Sequence, residues 1–260
     1  MEFTTTQLVV VAFALVGGSI LQSTIGFASG LVAIPAMLMA NFSLPEAVMI
    51  CLIAAILQNL VGCTSLRGLI AFPPAIRPIA IRLATLPVGA LLLLWTQNTV
   101  DSATVRQVVG VILGVVLLTQ WTWRVEPKKH LHAGWEFVAF GTSGILAGFC
   151  GMGGSPMVLW VMAHRWSAAR SRAFLFLLFL STMIPQVVIL LALFGADVVP
   201  ALILGLLLTP VVLLATLAGL RIADDLSKTI LRRVTYCVLC VIAVSAIVVP
   251  WIESAAQAAP

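Results

Sequence analysis

Gly144-Ile-Leu-Ala-Gly-Phe-Cys-Gly-Met-Gly-Gly-Ser-Pro156 is the stretch whose reading decides the fold. A glycine in a helix interior costs about 1 kcal/mol against alanine. Gly144, Gly148, Gly151, Gly153 and Gly154 are therefore not there for helix strength. Pro156 lacks an N–H and fixes its own φ, which suits the first turn of a new helix. The pattern predicts a helix, a break at Gly151–Ser155 and a fresh helix near Pro156. In a bilayer, a break is tolerated only where protein buries it or where it lines a watery cavity. A helix start in such a place points unpaired N–H groups and a partial positive charge into the cavity, which suits an anion.

A related stretch lies earlier. Gln22-Ser-Thr-Ile-Gly-Phe-Ala-Ser-Gly-Leu-Val-Ala-Ile-Pro35 carries Gly26, Ala28, Ser29 and Gly30 ahead of its proline. A shift of 125 residues sets Ser19-Ile-Leu on Gly144-Ile-Leu and Gly26 on Gly151. Nearby shifts set Pro87 on Pro210 and Arg106 near Arg232. One shared offset reads as a diverged internal repeat.

The surroundings are apolar. Hydrophobic residues make up 62% of the 260 and charged residues 9%, whereas a soluble domain carries about a quarter charged residues. With a mean hydropathy of +1.16, the composition indicates an all-α polytopic membrane protein. The pI near 9.3 does not point to nucleic acid, because the basic residues sit in short loops between apolar runs. The first run follows Met1-Glu2-Phe3, with no basic segment and no small-residue cleavage site, and reads as a retained helix. Cys237-x-x-Cys240 has no partner ligands and falls mid-helix, so it reads as packing.

Apolar runs long enough to span are Leu8–Ile25, Ala47–Leu66, Ile79–Trp95, Val105–Trp123, Ala173–Phe194, Val198–Leu220 and Val234–Trp251, with Trp135–Cys150 leading into the glycine break. Two arms are shorter: Phe27–Ala40 has 14 residues and Gly154–Ala163 has 10. Pairing each with the helix before it gives a hairpin that returns to its own side. Loops 67–82, 124–132, 164–172 and 221–233 then share one face and hold 13 of the 14 Lys and Arg, Arg106 being the exception. Glu2, Glu46, Asp101, Asp197 and Glu253 fall on the other. The positive-inside rule makes the first face cytoplasmic and both termini periplasmic, in the plasma (inner) membrane. The halves, residues 1–123 and 133–260 joined by a linker at 124–132, start on opposite sides. Each is a broken-helix hairpin followed by three spanning helices, and together they form two inverted repeats, a plan found in secondary transporters. Hairpins with tips near the midplane and tilted, fully spanning hairpins both satisfy the charges.

The two glycine-rich runs ending in proline, in a chain of this length, resemble the sulfite exporter TauE/SafE family of membrane permeases. The second run, Gly148 to Pro156, has Ser155 where the family has another glycine; in the first, Ala28 and Ser29 stand in glycine positions. The resemblance implies a multi-spanning permease for sulfur oxyanions such as sulfite, a sulfonate or sulfoacetate.

An oxyanion site needs donors and no fixed carboxylate at depth. The expected substrate-binding residues are Gln22, Ser23, Thr24, Gly26, Ser29 and Gly30 at the first break, and Gly151, Gly153, Gly154 and Ser155 at the second. Asn59 and Gln186 join them from corresponding spans, because large amides in lipid need a partner. Thr64, Thr119 and Thr216 read as interhelical hydrogen-bonders and Gly110-x-x-x-Gly114 as a packing face; Arg82 and Arg106 read as side chains snorkelling to headgroups, with attraction of the anion at the mouths as the alternative. The expected activity is secondary transport of a small sulfur-containing anion by rocking of the halves about the hairpin tips. A passive anion channel would use the same helix ends. An intramembrane hydrolase built on Ser29 would need a base, and His130, His132 and His164 all fall in loops. No enzyme activity, metal or cofactor is expected, and no nucleotide-binding motif is present. The partners expected are the anion, the lipid bilayer and an optional coupling proton or cation.

Overall fold

A computed structural model describes residues 3–122 and 131–225. Among them the fold is all α: α1 Thr5–Ile25, α2 Ser29–Met39, α3 Leu44–Ser65, α4 Pro73–Thr99, α5 Ser102–Thr122, α6 Ala133–Cys150, α7 Gly154–Met162, α8 Ala168–Phe194 and α9 Val199–Asp225. Helices α1, α3, α4 and α5 are each long and apolar enough to cross a bilayer, as is the continuous run Ala168–Ile222 that folds into α8 and α9. The chain is a multi-pass membrane protein. The expected last span, Val234–Trp251, and most of the linker lie outside the described residues.

Local chemistry sets the helix starts. Thr4 and Gln7 cap α1 reciprocally, and Ser43 and Glu46 do the same for α3. This box starts α3 at Leu44, three residues before the apolar run at Ala47. Pro73 and Pro74 open α4 as its first two residues, where a missing N–H is harmless. Arg77 and Arg82, expected in a basic connection, are therefore helical. Ser167 caps α8, which draws Arg170 and Arg172 into its first two turns. At the opposite end of the bundle, Asp101 accepts from the Thr104 N–H and hydroxyl. Those bonds hold its carboxyl below the usual carboxylate range.

Helix α3 is the most enclosed of the spans. It runs parallel to α1, with Gln22 bonded to Asn59, and antiparallel to α8, with Gly62 against Phe176 and Asn59 against Met183. The tightest seam joins α4 to α6. A Cβ on Gly148 would lie 2.2 Å from the Leu86 carbonyl oxygen, and one on Gly89 would lie 2.0 Å from that of Ile145. Gly144 and Gly148 are thus interior residues of α6 that admit a neighbouring backbone, not parts of the break. Gly114, by contrast, faces open space among the described residues, so the expected packing face there is not used at that glycine.

Contacts recur in a crossed pattern. Helix α6 lies along α4 and α1 lies along α9, while α8 touches α4 and α3 touches α9. Gly26 and Gly151, 125 positions apart, each end a helix in the left-handed conformation, at φ +93° and +67°. Pro87 and Pro210 both fall inside long helices.

Candidate functional site

Two helices are too short to span. With 11 and nine residues, α2 and α7 extend about 16 and 13 Å at 1.5 Å per residue, roughly half of a ~30 Å hydrocarbon core. Both breaks fall where expected, but α7 starts at Gly154, which puts Pro156 at its third position. The two breaks meet: a Cβ on Gly30 would lie 2.8 Å from the Gly151 carbonyl oxygen.

The short helices also differ from their neighbours in how they begin. Side chains cap α1, α3, α6 and α8; none caps α2, α7 or α4, but α4 opens on Pro73 and Pro74, which lack N–H groups to cap. The first N–H groups of a helix have no partner within it. Among the described residues, no backbone bond between elements uses the amides of Ser29, Gly30, Gly154 or Ser155. A buried helix end left this way is a place for a ligand.

Both starts open onto one cavity of about 50 Å³, measured by the centres of a water-sized sphere. A single water needs roughly 10–15 Å³ on that measure, so the space suits a few waters or one small solute. Gln22, Ser29, Gly30, Gly151, Gly154 and Gln186, six of the expected site residues, line it. Val48, Cys51, Leu52 and Ala55 of α3 form an apolar wall, and Phe179 and Met183 of α8 face them. No carboxylate and no histidine is among the lining residues.

Hydrogen bonds and close packing hold most of the expected residues in place. Asn59 accepts from Gln22 Nε2 at 3.1 Å and donates to the Ala55 carbonyl at 2.7 Å. Its role in the geometry is to hold the Gln22 amide. Gln186 Nε2 donates to the Ala147 carbonyl at 2.6 Å, the oxygen that also accepts from Gly151 N–H. Ser23 and Thr24 bond back to carbonyls of α1, and Ser23 also accepts from Gln58. Gly26 ends α1 beside Arg172 and Leu175. Gly153 accepts from the Ser143 hydroxyl. Ser155 is buried, and its hydroxyl finds no partner among the described residues.

Arg82 is the main correction. It was expected at the headgroups, yet it lines the cavity and is only 3% exposed. Its Nη1 donates to the Leu178 carbonyl at 3.3 Å, and its guanidinium carbon stands 5.2 Å from the centre of the Phe179 ring. The signal that would have found it is the Pro73-Pro74 helix start. That start places Arg82 nine residues along α4, about 13 Å from its beginning. Arg106 lies at the other end of the bundle, donating to the Asn41 side chain at 2.8 Å.

Ala28, immediately before α2, has φ +98°, a conformation that a Cβ makes costly by about 1–2 kcal/mol. Replacing it with glycine is expected to stabilise the protein by about 1 kcal/mol, read as a raised melting temperature in detergent. An unchanged or lowered melting temperature would mean that the backbone is not strained there.

The family model described as Sulfite exporter TauE/SafE matches residues 10–246 of the chain. No curated protein and no solved structure matches it. That one match spans both breaks, the cavity between them and every described helix except the first five residues of α1, and the chain belongs to the sulfite exporter TauE/SafE family.

Proposed function

We propose that the protein is a secondary transporter for a small sulfur-containing anion, such as sulfite, a sulfonate or sulfoacetate, working by alternating access. The observation that carries this is the pair of uncapped helix starts opening onto one buried cavity without a carboxylate. The amides of Ser29, Gly30, Gly154 and Ser155 supply donors and the positive ends of two helix dipoles. Gly151 and Gly153 let the second break turn, and Gly26 ends the first. Gln22 and Gln186 place amide groups at the cavity wall, with Ser23, Thr24 and Asn59 as their surroundings. The cavity volume favours a sulfite-sized solute; sulfoacetate needs the cavity to widen.

The repeats are residues 1–123 and 133–260, inverted in the membrane. The crossed packing of α1 on α9 and α6 on α4 supports this reading, as do the matched left-handed ends at Gly26 and Gly151. The basic loops are then cytoplasmic, and the termini lie outside the inner membrane. Rocking of the halves about the meeting point of Gly30 and Gly151 exposes the cavity to each side in turn.

Proteoliposomes test this. Labelled sulfite, sulfate, a sulfonate and a carboxylate are offered with and without a pH gradient. Saturable sulfite uptake with counterflow is expected. Flux that neither saturates nor shows counterflow would indicate a channel, and no oxyanion flux at all would end the permease reading.

A further inference from the structure

We propose that Arg82 is the residue that selects for negative charge in this cavity, its guanidinium binding oxygens of the transported anion directly. The assignment rests on the permease reading above.

A guanidinium carries five N–H donors. The bonds made by Arg82 among the described residues amount to one, from Nη1 to the Leu178 carbonyl, and its buried Nε has no acceptor. A carbonyl and an aromatic face orient a guanidinium without cancelling its charge. Among the described residues, no Asp or Glu lines the cavity. An arginine kept for structure, enclosed to this degree, is ordinarily paired with an acid, because an unpaired buried charge is strongly destabilising. Charges held at membrane depth mark solute pathways for the same reason.

The geometry suits an oxyanion. A planar fork of donors matches two oxygens of a sulfur or carbon oxyacid at once. Phe179, whose ring lies beside the guanidinium, also packs where a Cβ on Gly154 would sit, 3.2 Å from its Cζ. Arg82 and the start of α7 are thereby brought to the same side of the cavity. An anion there meets the full charge of the arginine and about half a charge from each helix start. A neutral solute leaves all of it unanswered. Among the described residues that line the cavity, Arg82 alone is basic.

The test uses the full-length protein in proteoliposomes and in detergent. Arg82→Gln is expected to raise the KM for sulfite by roughly tenfold to a hundredfold, as loss of a charge-assisted pair does, and to remove the rise in melting temperature that sulfite gives the wild type. Arg82→Lys, which keeps the charge but not the fork, is expected to recover part of the KM. An Arg82→Gln protein with wild-type KM and an undiminished sulfite-dependent shift overturns the assignment, while wild-type flux leaves the permease reading standing. A wild type that binds and moves no oxyanion ends the permease reading itself. If Arg82→Gln does not fold, phenylglyoxal modification of the wild type decides: sulfite is expected to protect Arg82 and not Arg106, and equal modification of Arg82 with and without sulfite overturns the proposal.

Discussion

Replacing Gly151 with leucine is expected to abolish sulfite transport in a protein that still inserts and folds. Gly151 has φ +67°, and a Cβ there would lie 2.5 Å from Cδ1 of Ile34, a residue with no exposed surface. The left-handed backbone costs about 1–2 kcal/mol with a side chain present, and forcing atoms into a packed wall costs about 1–3 kcal/mol more. Spread over a many-helix bundle, that loss is survivable. Its effect on the site is not: the leucine side chain enters the cavity where the two breaks meet, and removes the space the anion needs. Gly154→Leu approaches the same space from α7 with less strain, because its Cβ meets Phe179 at 3.2 Å and no left-handed φ is involved. Flux assays paired with melting temperatures check both variants. Normal flux from correctly inserted protein would show that solute does not pass between these helix starts.

Gly148→Leu should act differently, by preventing the fold. Here the neighbour is backbone: a Cβ would stand 2.2 Å from the Leu86 oxygen and 2.7 Å from the Ala90 nitrogen. No rotamer change relieves that contact, so α6 must move away from α4 along the closest seam of the bundle. Gly144 is equally confined, against Thr85 and Arg82, so the seam opens over more than a turn. A loss above about 5 kcal/mol is expected, larger than that at Gly151 and exceptional for a single substitution. Fluorescence-detected size exclusion should show little monodisperse protein. Gly114→Leu, which meets nothing within 4 Å among the described residues, serves as the control and should accumulate normally. Equal yields for the two variants would contradict the close α4–α6 packing.

Much of this was legible in the chain. Gly26 and Gly151 announced both breaks, because few residues tolerate a left-handed helix end, and Pro156 added an N–H-free first turn at the second, whereas Pro35 lies inside α2. Hydrophobic length located the spans. What the pattern hid was depth and partnership. Arg82 read as a surface charge because its run is broken by Pro73, Pro74 and Pro78; a helix that begins on prolines carries the arginine inward. Gly144 and Gly148 read only as residues ill suited to a helix interior, whereas their service is to a helix 62 residues away in sequence. Asn59 and Gln22 were both singled out, yet nothing one-dimensional says that one amide holds the other. The capping boxes at Thr4 and Ser43 were present in the letters, and set helix starts earlier than hydrophobicity alone placed them.

Anomalous diffraction from crystals grown with selenite, a heavier analogue of sulfite, tests the central claim most directly. A selenium peak between Gly30 and Gly154, within hydrogen-bonding reach of their amides and of the Arg82 guanidinium, is the predicted result. Selenite bound elsewhere in the bundle, with this cavity holding only water, would contradict it.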